Sequence, residues 1–309
     1  MISLINRHTD IKRMQRINYS IIIPHKNSPN LLSRCLSSIP DREDVQIIVV
    51  DDNSDNDKKP VVDAQKVELI LLDAKHSKGA GRARNIGMEK AKGKWLLFAD
   101  ADDKYTDRLN AFLDKYVEDT ETDLVYLNVI CFNEKGECWA HEIDAKIKAY
   151  LNGRSHAEMP LRYEIWTPWT RMVKKAMVQQ HQLRFDEIPT CNDKMFCLLC
   201  SKNANHIAAE KEVIYQYYRP AGGSLTDRFR SSHVLDSLLD VRGRTITLYK
   251  EAGYHQIPSF IAFFIKSKYS TDLPLKVKIK KYREILRRNH VSIFTDVSRY
   301  VSKKIAEHF

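Results

Sequence analysis

Two apolar runs near the start of this chain each end abruptly in a cluster of aspartates, and this pattern limits the folds that the chain can adopt. The runs span residues 45–50 and 95–99. Near-continuous apolar runs of this length are typical of strands that are buried on both faces of a parallel sheet. The aspartates would then lie together at the carboxyl edge of the sheet, where open α/β folds bind ligands. Five aspartates follow the two runs: Asp51, Asp52, Asp100, Asp102 and Asp103.

The first hundred residues alternate between strand and helix patterns. Apolar runs predict four strands, at 19–24, 45–50, 67–72 and 95–99, and helical spacing predicts helices at 31–39 and 79–91. This alternation predicts an α/β fold with a Rossmann-like, mostly parallel sheet and helices on both faces.

The middle of the chain is mixed, and its last third is helical. We predict strands at 124–132, 206–209 and 213–218, helices at 171–181 and 193–201, and helices from about residue 223 to the end. The glycine pair at 222–223 marks the change. The expected organisation is a nucleotide-binding domain over 1–222, with halves at about 18–105 and 106–222, and a C-terminal basic helical region over 223–309.

The net charge of +10 comes mostly from the C-terminal region, because residues 266–288 contain nine Lys or Arg against Asp272 and Glu284. A basic chain favours anionic partners. The mixture of cations and apolar residues over 266–309 fits either a solvated helical face or peripheral contact with an anionic membrane. Nucleic acid is not expected as a partner, since the predicted sheet edge is acidic and no nucleic-acid-binding module is present.

Neither a secretory leader nor a membrane-spanning run is apparent, because the longest apolar run, 257–265, is half the ~18 residues that a span needs. The six cysteines are expected to be small buried residues, and this includes the Cys197–Cys200 pair, which lacks a redox or zinc context. We therefore expect a cytoplasmic protein, located at the inner face of the plasma membrane if the basic region binds lipid.

The acidic run at 100–103 and the glycine-rich segment at 79–85 predict complementary halves of one site. Aspartates also favour turns and helix caps, so a lone Asp-x-Asp is weak evidence. Three carboxylates on one short loop, however, require a positive partner, and Mg²⁺ or Mn²⁺ bound by carboxylates and substrate phosphates would supply it. The helix start at 79–85, with Arg82 and Arg84, offers backbone N–H groups and guanidinium groups for phosphate oxygens.

The order of these motifs resembles that of the family 2 glycosyltransferases of the GT-A fold, which are inverting enzymes. The resemblance is strongest over 18–105 and continues in outline to about 226. It rests on four ordered segments: 20–27, 49–54, 83–87, and 91–95 leading to 98–103. Further segments resemble the acceptor side at 166–169, the region of the catalytic base at 184–193, and the closing strand and loop at 217–219 and 223–225. Lys26 departs from the family pattern, which often has a tyrosine there that could stack on the base.

The resemblance implies a role for each matching residue. Asp193 would be the catalytic base, although a helix N-cap is the simpler interpretation of that residue alone. Trp169 would contact the acceptor, and Asp102, with Asp100 and Asp103, would bind Mn²⁺ or Mg²⁺. The residues expected to contact the nucleotide sugar are Pro24, Asn27, Asp51, Asp52, Arg82, Arg84, Asp100 and Ala101.

The implied reaction is the metal-assisted transfer of a sugar from a nucleotide diphosphate sugar, a UDP-sugar by resemblance, to a hydroxyl of a glycan or lipid-linked acceptor. The setting implied is the synthesis of a surface glycan such as a capsule or lipopolysaccharide. A nucleotidyltransferase remains an alternative, because it also combines carboxylates with a nucleotide. A basic nucleic-acid-binding protein is a further alternative.

Overall fold

The computed structural model describes residues 16–219, 232–265 and 274–306. Within these ranges nine strands form one mixed sheet, and helices cover it. The strands are β1 (Tyr19–His25), β2 (Val45–Asp51), β3 (Val67–Leu71), β4 (Trp95–Phe98), β5 (Lys104–Tyr105), β6 (Leu124–Phe132), β7 (Cys138–Ala140), β8 (Arg171–Lys174) and β9 (Ile207–Tyr218). The sheet order is β3-β2-β1-β4-β8-β6-β9-β5, and β7 pairs with β6.

The described helices are α1 (Pro29–Ser37), α2 (Ala80–Lys90), α3 (Leu109–Tyr116), α4 (Glu142–Leu151), α5 (Glu158–Glu164), α6 (Lys175–Gln180), α7 (Lys194–Asn203), α8 (Ser232–Glu251), α9 (Ala262–Ile265), α10 (Leu275–Arg288) and α11 (Ile293–Ala306). None of the described helices is long and apolar enough to cross a bilayer.

The first four strands are parallel, as their apolar runs predict, and their register aligns the carboxyl ends. His25 lies opposite Asp51, and Ile22 lies opposite Phe98. Tyr19 and the three isoleucines of β1 are fully buried, since the sheet is covered on both faces. The α/β fold class is therefore confirmed, and both aspartate clusters lie at one edge.

The second half of the sheet is mixed, and here two predictions were wrong. The helix predicted over 171–181 begins only at Lys175, because its first four residues form β8 between β4 and β6. The side chain of Arg171 is fully buried, and its guanidinium donates to the carbonyls of Cys197 and Ile165, both at 2.7 Å. The position in β8 therefore places the Arg171 guanidinium where buried carbonyls accept its hydrogen bonds, whereas the sequence pattern places it on a helix surface.

The strands predicted at 206–209 and 213–218 are one strand, β9. The polar segment 210–212 interrupts the apolar pattern because the pairing of β9 with β6 is irregular there, with register shifts on either side of Asn128. The Asn128 amide donates to the carbonyl of Lys211 at 2.9 Å, which holds the irregular segment in the sheet.

The C-terminal region is helical, as predicted, and packs on the sheet domain. Its own core contains Leu235, Leu239, Phe260 and Leu286. A second cluster joins the two regions through side chains of α5, α7 and α8 and the segment after α8: Tyr163, Met195, Leu198, Val241, Leu248, Tyr249 and Tyr254. The predicted boundary near 223 and the segment 223–225 lie outside the described residues, as do residues 266–273 of the basic region.

Candidate active site

The predicted donor residues lie at the carboxyl ends of β1, β2 and β4 and in the first half of α2. The loop after β1 is tied to the loop after β2 by Asn27, whose backbone N–H donates to Ser54 Oγ at 2.8 Å and whose side-chain oxygen accepts from Asp55 N–H at 2.8 Å. Asn27 has a φ of +55°, which asparagine tolerates better than most residues. Pro24 lies within β1, and Ala101 is buried in the acidic loop.

Asp51 is buried at the end of β2 and is hydrogen-bonded within the chain through both carboxylate oxygens. One oxygen lies 2.7 Å from His25 Nδ1 and also accepts from Ser54 Oγ, and the other accepts from Ser54 N–H at 3.0 Å. Burial would raise the pKa of Asp51, but the hydrogen bonds from Ser54 and His25 outweigh it and hold that pKa below its usual range. The geometry therefore favours a supporting role for Asp51 in shaping the loop.

His25 completes this arrangement at the end of β1. Its Nε2 accepts from the backbone N–H of Ser28 at 3.2 Å, so its Nδ1 carries the proton that is donated to Asp51. His25 is not among the site residues predicted from the sequence. Its position directly after an apolar strand, level with Asp51, is the signal that could have found it.

Asp52 accepts hydrogen bonds from the N–H groups at the start of α2. Lys78 N–H donates at 3.1 Å and Gly79 N–H at 3.0 Å. These are donors that the sequence assigns to phosphates, and the chain uses them to connect the loop after β2 to α2. Lys26 lies on the outer side, with its Nζ 3.6 Å from the Asp52 carboxylate.

The acidic loop after β4 brings three carboxylates together. Ligand oxygens of Asp100, Asp102 and Asp103 lie within 4.8 Å of one another. Asp103 is fully buried, and its two oxygens accept from Tyr215 OH at 2.8 Å and from Tyr218 N–H at 2.6 Å. Asp100 and Asp102 are partly exposed. The loop therefore presents two carboxylates outward and holds the third behind them.

The charge of this loop is unfavourable without a cation. Burial and the neighbouring Asp100 raise the pKa of Asp102 to about 6. Burial, Asp100 and Asp102 raise the pKa of Asp103 well above its ordinary value. Clustered carboxylate oxygens are the ligands that Mg²⁺ and Mn²⁺ prefer, so the residues fit a hard divalent cation.

Arg84 links this acidic loop to the segment that precedes α7. Its guanidinium donates to Asp100 at 2.5 Å and to Asn192 Oδ1 at 3.2 Å, and only 4% of the residue is exposed. Arg82 is more exposed and pairs with Glu187 at 3.2 Å. Arg84 thus bridges two parts of the site, while Arg82 lies at its rim.

Helix α2 packs directly on the segment 185–193. A Cβ atom at Gly81 would lie 2.0 Å from the carbonyl oxygen of Asp186, so only glycine allows this approach. Asn85 donates to the carbonyl of Phe185 at 3.0 Å and accepts from its N–H at 2.9 Å. The glycine-rich segment therefore holds the acceptor-side loop in place as well as beginning a helix.

Asp193 occupies the N-cap position of α7, but its side chain makes no hydrogen bond to the described helix backbone. Burial raises the pKa of Asp193, Arg84 lowers it, and Asp100 raises it again; the net shift is upward. A carboxylate with a raised pKa accepts a proton more readily than an ordinary one. The geometry thus disfavours the simple capping role for this residue.

The two tryptophans of the segment 166–169 differ in exposure. Trp169 is 4% exposed and is stacked on Tyr215 and Tyr217, with ring centroids 5.4 and 4.8 Å apart. Trp166 is 39% exposed. The residue predicted to contact the acceptor is therefore buried behind the acidic loop, and its neighbour is the one that reaches the surface.

The remaining residues that sequence reasoning missed lie far from the site in the chain. Tyr215 accepts from Asp100 N–H at 2.9 Å while it donates to Asp103, and Arg244 of α8 donates to both oxygens of Asp186, at 3.0 and 2.6 Å. No local pattern marks either residue. Four of the six free cysteines are buried as expected, including Cys197 and Cys200 of α7, but Cys138 is exposed and Cys191 is only partly buried.

Comparison with known proteins shows which family and which fold the chain resembles. The family model described as glycosyl transferase family 2 matches residues 20–185, which is more than half of the chain. Among curated proteins, a poly(ribitol-phosphate) β-N-acetylglucosaminyltransferase, TarS of Staphylococcus aureus, is 23% identical over 211 residues, which is 65% of this chain and 35% of that protein. An uncharacterized glycosyltransferase of Escherichia coli, YibD, is 25% identical over 209 residues, 64% of this chain and 60% of that protein.

The chain spans only about a third of the length of the first of these relatives. Among solved structures, S. aureus TarS 1–349 in complex with UDP-GlcNAc has a TM-score of 0.64 at 17% identity, covering 88% of this chain and 80% of that one. At this identity the likeness concerns the fold, and it extends into the C-terminal helices.

Proposed function

The chain belongs to glycosyl transferase family 2, and on this premise we propose that it transfers a sugar, with inversion, from a UDP-sugar to a hydroxyl of a bacterial surface glycan. The observation that carries the proposal is the position of Arg84, which bonds Asp100 at 2.5 Å and Asn192 at 3.2 Å. One side chain thereby joins the carboxylates suited to a donor diphosphate to the segment that carries Asp193. Donor and acceptor groups would meet at this point.

The donor would bind over the carboxyl ends of β1, β2 and β4. We assign contacts with the nucleotide to the loops of Pro24, Asn27 and Asp52, with Asp51 shaping the loop from beneath. Arg82, which is more exposed than Arg84, would approach the diphosphate from the rim. The complex of the TarS fold relative with UDP-GlcNAc supports uridine as the base.

Asp100 and Asp102 would hold a divalent cation, Mn²⁺ or Mg²⁺, with Asp103 and Ala101 fixing the loop behind them. When bound, this ion would neutralise negative charge on the diphosphate of the leaving group. The raised pKa of Asp102 supports the assignment, because a cation at this position would offset both the burial and the repulsion from Asp100 that raise it.

Asp193 would act as the general base. In this step the acceptor hydroxyl loses its proton to the Asp193 carboxylate while its oxygen forms a bond to the anomeric carbon of the sugar. The bond from that carbon to the diphosphate oxygen breaks on the opposite face, so the configuration inverts and UDP leaves. Asp193 is suited to this role because its pKa is raised and its side chain makes no capping hydrogen bond to α7.

The domain assignment follows from these roles. We propose that 1–222 is the catalytic domain, with a donor half near 18–105 and an acceptor half near 106–222, and that 223–309 is a helical region that serves the acceptor. The acceptor would be a glycan or a lipid-linked glycan. The name of TarS as a poly(ribitol-phosphate) transferase supports a polymer of the cell surface.

We also propose that α10 and α11 contact the anionic inner face of the plasma membrane. Phe294 is 83% exposed and Leu275 is 72% exposed. Phe294, Val301 and Ile305 are spaced by seven and four residues, which puts them on one face of α11. Together with the lysines and arginines of α10, this exposed apolar face fits an interfacial helix pair.

The proposal is tested by incubating the protein with UDP-GlcNAc, Mn²⁺ and isolated cell-wall polymer. We expect release of UDP and incorporation of the sugar into the polymer. Release of pyrophosphate instead would indicate a nucleotidyltransferase. Failure to bind any UDP-sugar, measured by calorimetry across a panel, would reject the proposed donor.

A further inference from the structure

A cavity lies between the acceptor half and the C-terminal helices, beside the segment that carries the proposed base. Its volume is about 470 Å³. One wall comes from α4, the segment after α5 and the start of α7, and the other comes from α8 and the segment that follows α8. The cavity therefore exists only when the C-terminal region is docked on the sheet domain.

The cavity adjoins Asp193 through the chain itself. Cys191 and Lys194, which stand on either side of Asn192 and Asp193, both line it. Cys191 has a φ of +54°, a left-handed conformation in which the chain turns sharply just before the proposed base. A molecule in the cavity would thus lie against the segment that carries the proposed base.

The cavity presents an aromatic surface. Trp166 lines it and keeps 39% of its surface exposed, and Lys194 Nζ lies 4.4 Å from the centroid of the Trp166 ring. A tryptophan that is exposed in a concave site offers a large rigid contact area at low entropic cost. The C–H groups of a sugar or polyol can pack on such a surface.

The cavity also carries an excess of one positive charge. Lys146, Lys194 and Arg242 line it together with two carboxylates, and one of these, Glu164, is 3.0 Å from Lys146 Nζ and also accepts from Tyr254 OH. The Arg242 guanidinium packs on Phe263, 4.6 Å from the ring centroid. Arginine and lysine together are the side chains that bind phosphate oxygens most strongly.

We propose that this cavity is the acceptor subsite, and that the acceptor unit it binds is a polyol phosphate or sugar phosphate. Trp166 packs on the carbon chain or ring, and Arg242 and Lys194 bind the phosphate, which sets the hydroxyl beside Asp193. This inference rests on the proposed function and adds to it the chemical class of the acceptor. It also explains how the C-terminal helices, which supply Arg242, take part in acceptor selection.

The test is equilibrium binding of a synthetic ribitol phosphate oligomer, measured by calorimetry in the presence of UDP, with ribitol alone as the neutral counterpart. We expect the oligomer to bind and ribitol to bind at least about tenfold more weakly. Trp166→Ala and Arg242→Gln should each weaken binding of the oligomer by about tenfold or more, since tryptophan and arginine dominate such contacts. UDP affinity should stay at the wild-type value, which shows that the variants are folded.

The chain offers matched controls for both variants. Trp139 is also 39% exposed but does not line the cavity, and Lys250 is an exposed cation of the same helix as Arg242. Trp139→Ala and Lys250→Gln should bind the oligomer like the wild type. Wild-type affinity in both cavity variants, equal affinity for ribitol, or no binding by the wild-type protein would overturn the acceptor subsite. Failure of the wild-type protein to bind UDP would instead reject the proposed function.

Discussion

The loops of the donor half and the loop that carries Asp193 are held by hydrogen bonds that differ in how far apart their partners lie along the chain. Asp51 bonds His25, 26 residues away, and Asp52 bonds Gly79, 27 residues away, so the loops after β1 and β2 are fixed within the first hundred residues. The acidic loop after β4 differs, because Asp103 also bonds Tyr215 and Tyr218 of β9. The Asp193 loop depends on partners much further along the chain. Arg84 is 108 residues from Asn192, and Arg244 is 58 residues from Asp186.

Because of this difference, the two halves of the site can lose function independently of each other. The loops after β1 and β2 are part of a βαβ unit and form with it. The acceptor loop takes its position only when α2 packs on it from one side and α8 from the other. Substitutions in the C-terminal helices should therefore affect transfer while UDP binding persists.

The largest effect is expected for Asp193→Asn, which removes the proposed base and keeps the size of the side chain. We expect kcat for transfer to fall by about 10²–10⁴, because the acceptor hydroxyl would lose its proton acceptor. The affinity for UDP should be unchanged, because the donor loops do not depend on Asp193. The measurement is initial-rate kinetics at saturating donor, with UDP calorimetry alongside. Turnover within a few-fold of wild type would show that another group is the base.

A slightly smaller effect is expected for Asp102→Asn on the donor side. Loss of one carboxylate from the proposed cation site should lower turnover by about 10²-fold, in the range seen when one group that stabilises transition-state charge is removed. The matched control is Asp107→Asn, because that side chain is 92% exposed a few residues further on. Chelation should reduce the wild-type enzyme to a similar level, with recovery on adding Mn²⁺. Full turnover in chelator would reject the metal assignment.

The contrast between short-range and long-range contacts also explains which parts of the site can be predicted from the sequence. The aspartates after β2 and β4 follow apolar strands directly, so their shared edge could be predicted from strand pattern and parallel pairing alone. Arg84 was predicted to bind phosphates, but its partners Asp100 and Asn192 come from two different loops and become visible only in three dimensions. The acceptor contact predicted for Trp169 likewise follows from the local segment alone, whereas Tyr215 and Tyr217 stack on that ring in the fold.

The predicted secondary structure is wrong where long-range contacts determine the observed structure. Arg171 begins β8 because buried carbonyls of α7 and of the segment after α5 accept from its guanidinium, and nothing in its neighbours along the chain signals this. The sequence pattern predicts two strands in place of β9, because the polar middle of β9 lies at a register shift. In both cases tertiary pairing overrides the local pattern.

An intermediate effect is expected for Arg244→Gln, which breaks the link between α8 and the acceptor loop. The double hydrogen bond to Asp186 would be lost, and a small displacement of the Asp193 loop should lower kcat by about tenfold without changing UDP affinity. Arg244 also pairs with Asp240 at 2.9 Å. Asp240→Asn is therefore the matched control, and it should keep wild-type kinetics because that pair does not reach the loop.

A partial rescue would separate positioning from general destabilisation. The double variant Arg244→Asp with Asp186→Arg restores opposite charges across the same contact and should recover part of kcat. Equal loss of kcat in Arg244→Gln and Asp240→Asn would indicate that α8 acts only through stability, and the contrast between the two halves of the site would then be withdrawn.

The smallest effect on chemistry is expected from the exposed surface of α10 and α11, which lies outside both halves. Replacing Lys276 and Arg283 by Gln should weaken co-sedimentation with anionic vesicles by about 1 kcal/mol per charge, while transfer to a water-soluble acceptor stays unchanged. Lys90→Gln with Lys92→Gln removes two exposed charges near the end of α2 and should leave vesicle binding intact. Phe294→Ser tests the apolar part, because a side chain that is 83% exposed contributes little to folding but can insert into the lipid interface. If all these variants sediment like the wild type, the C-terminal helices serve the acceptor cavity and not a membrane.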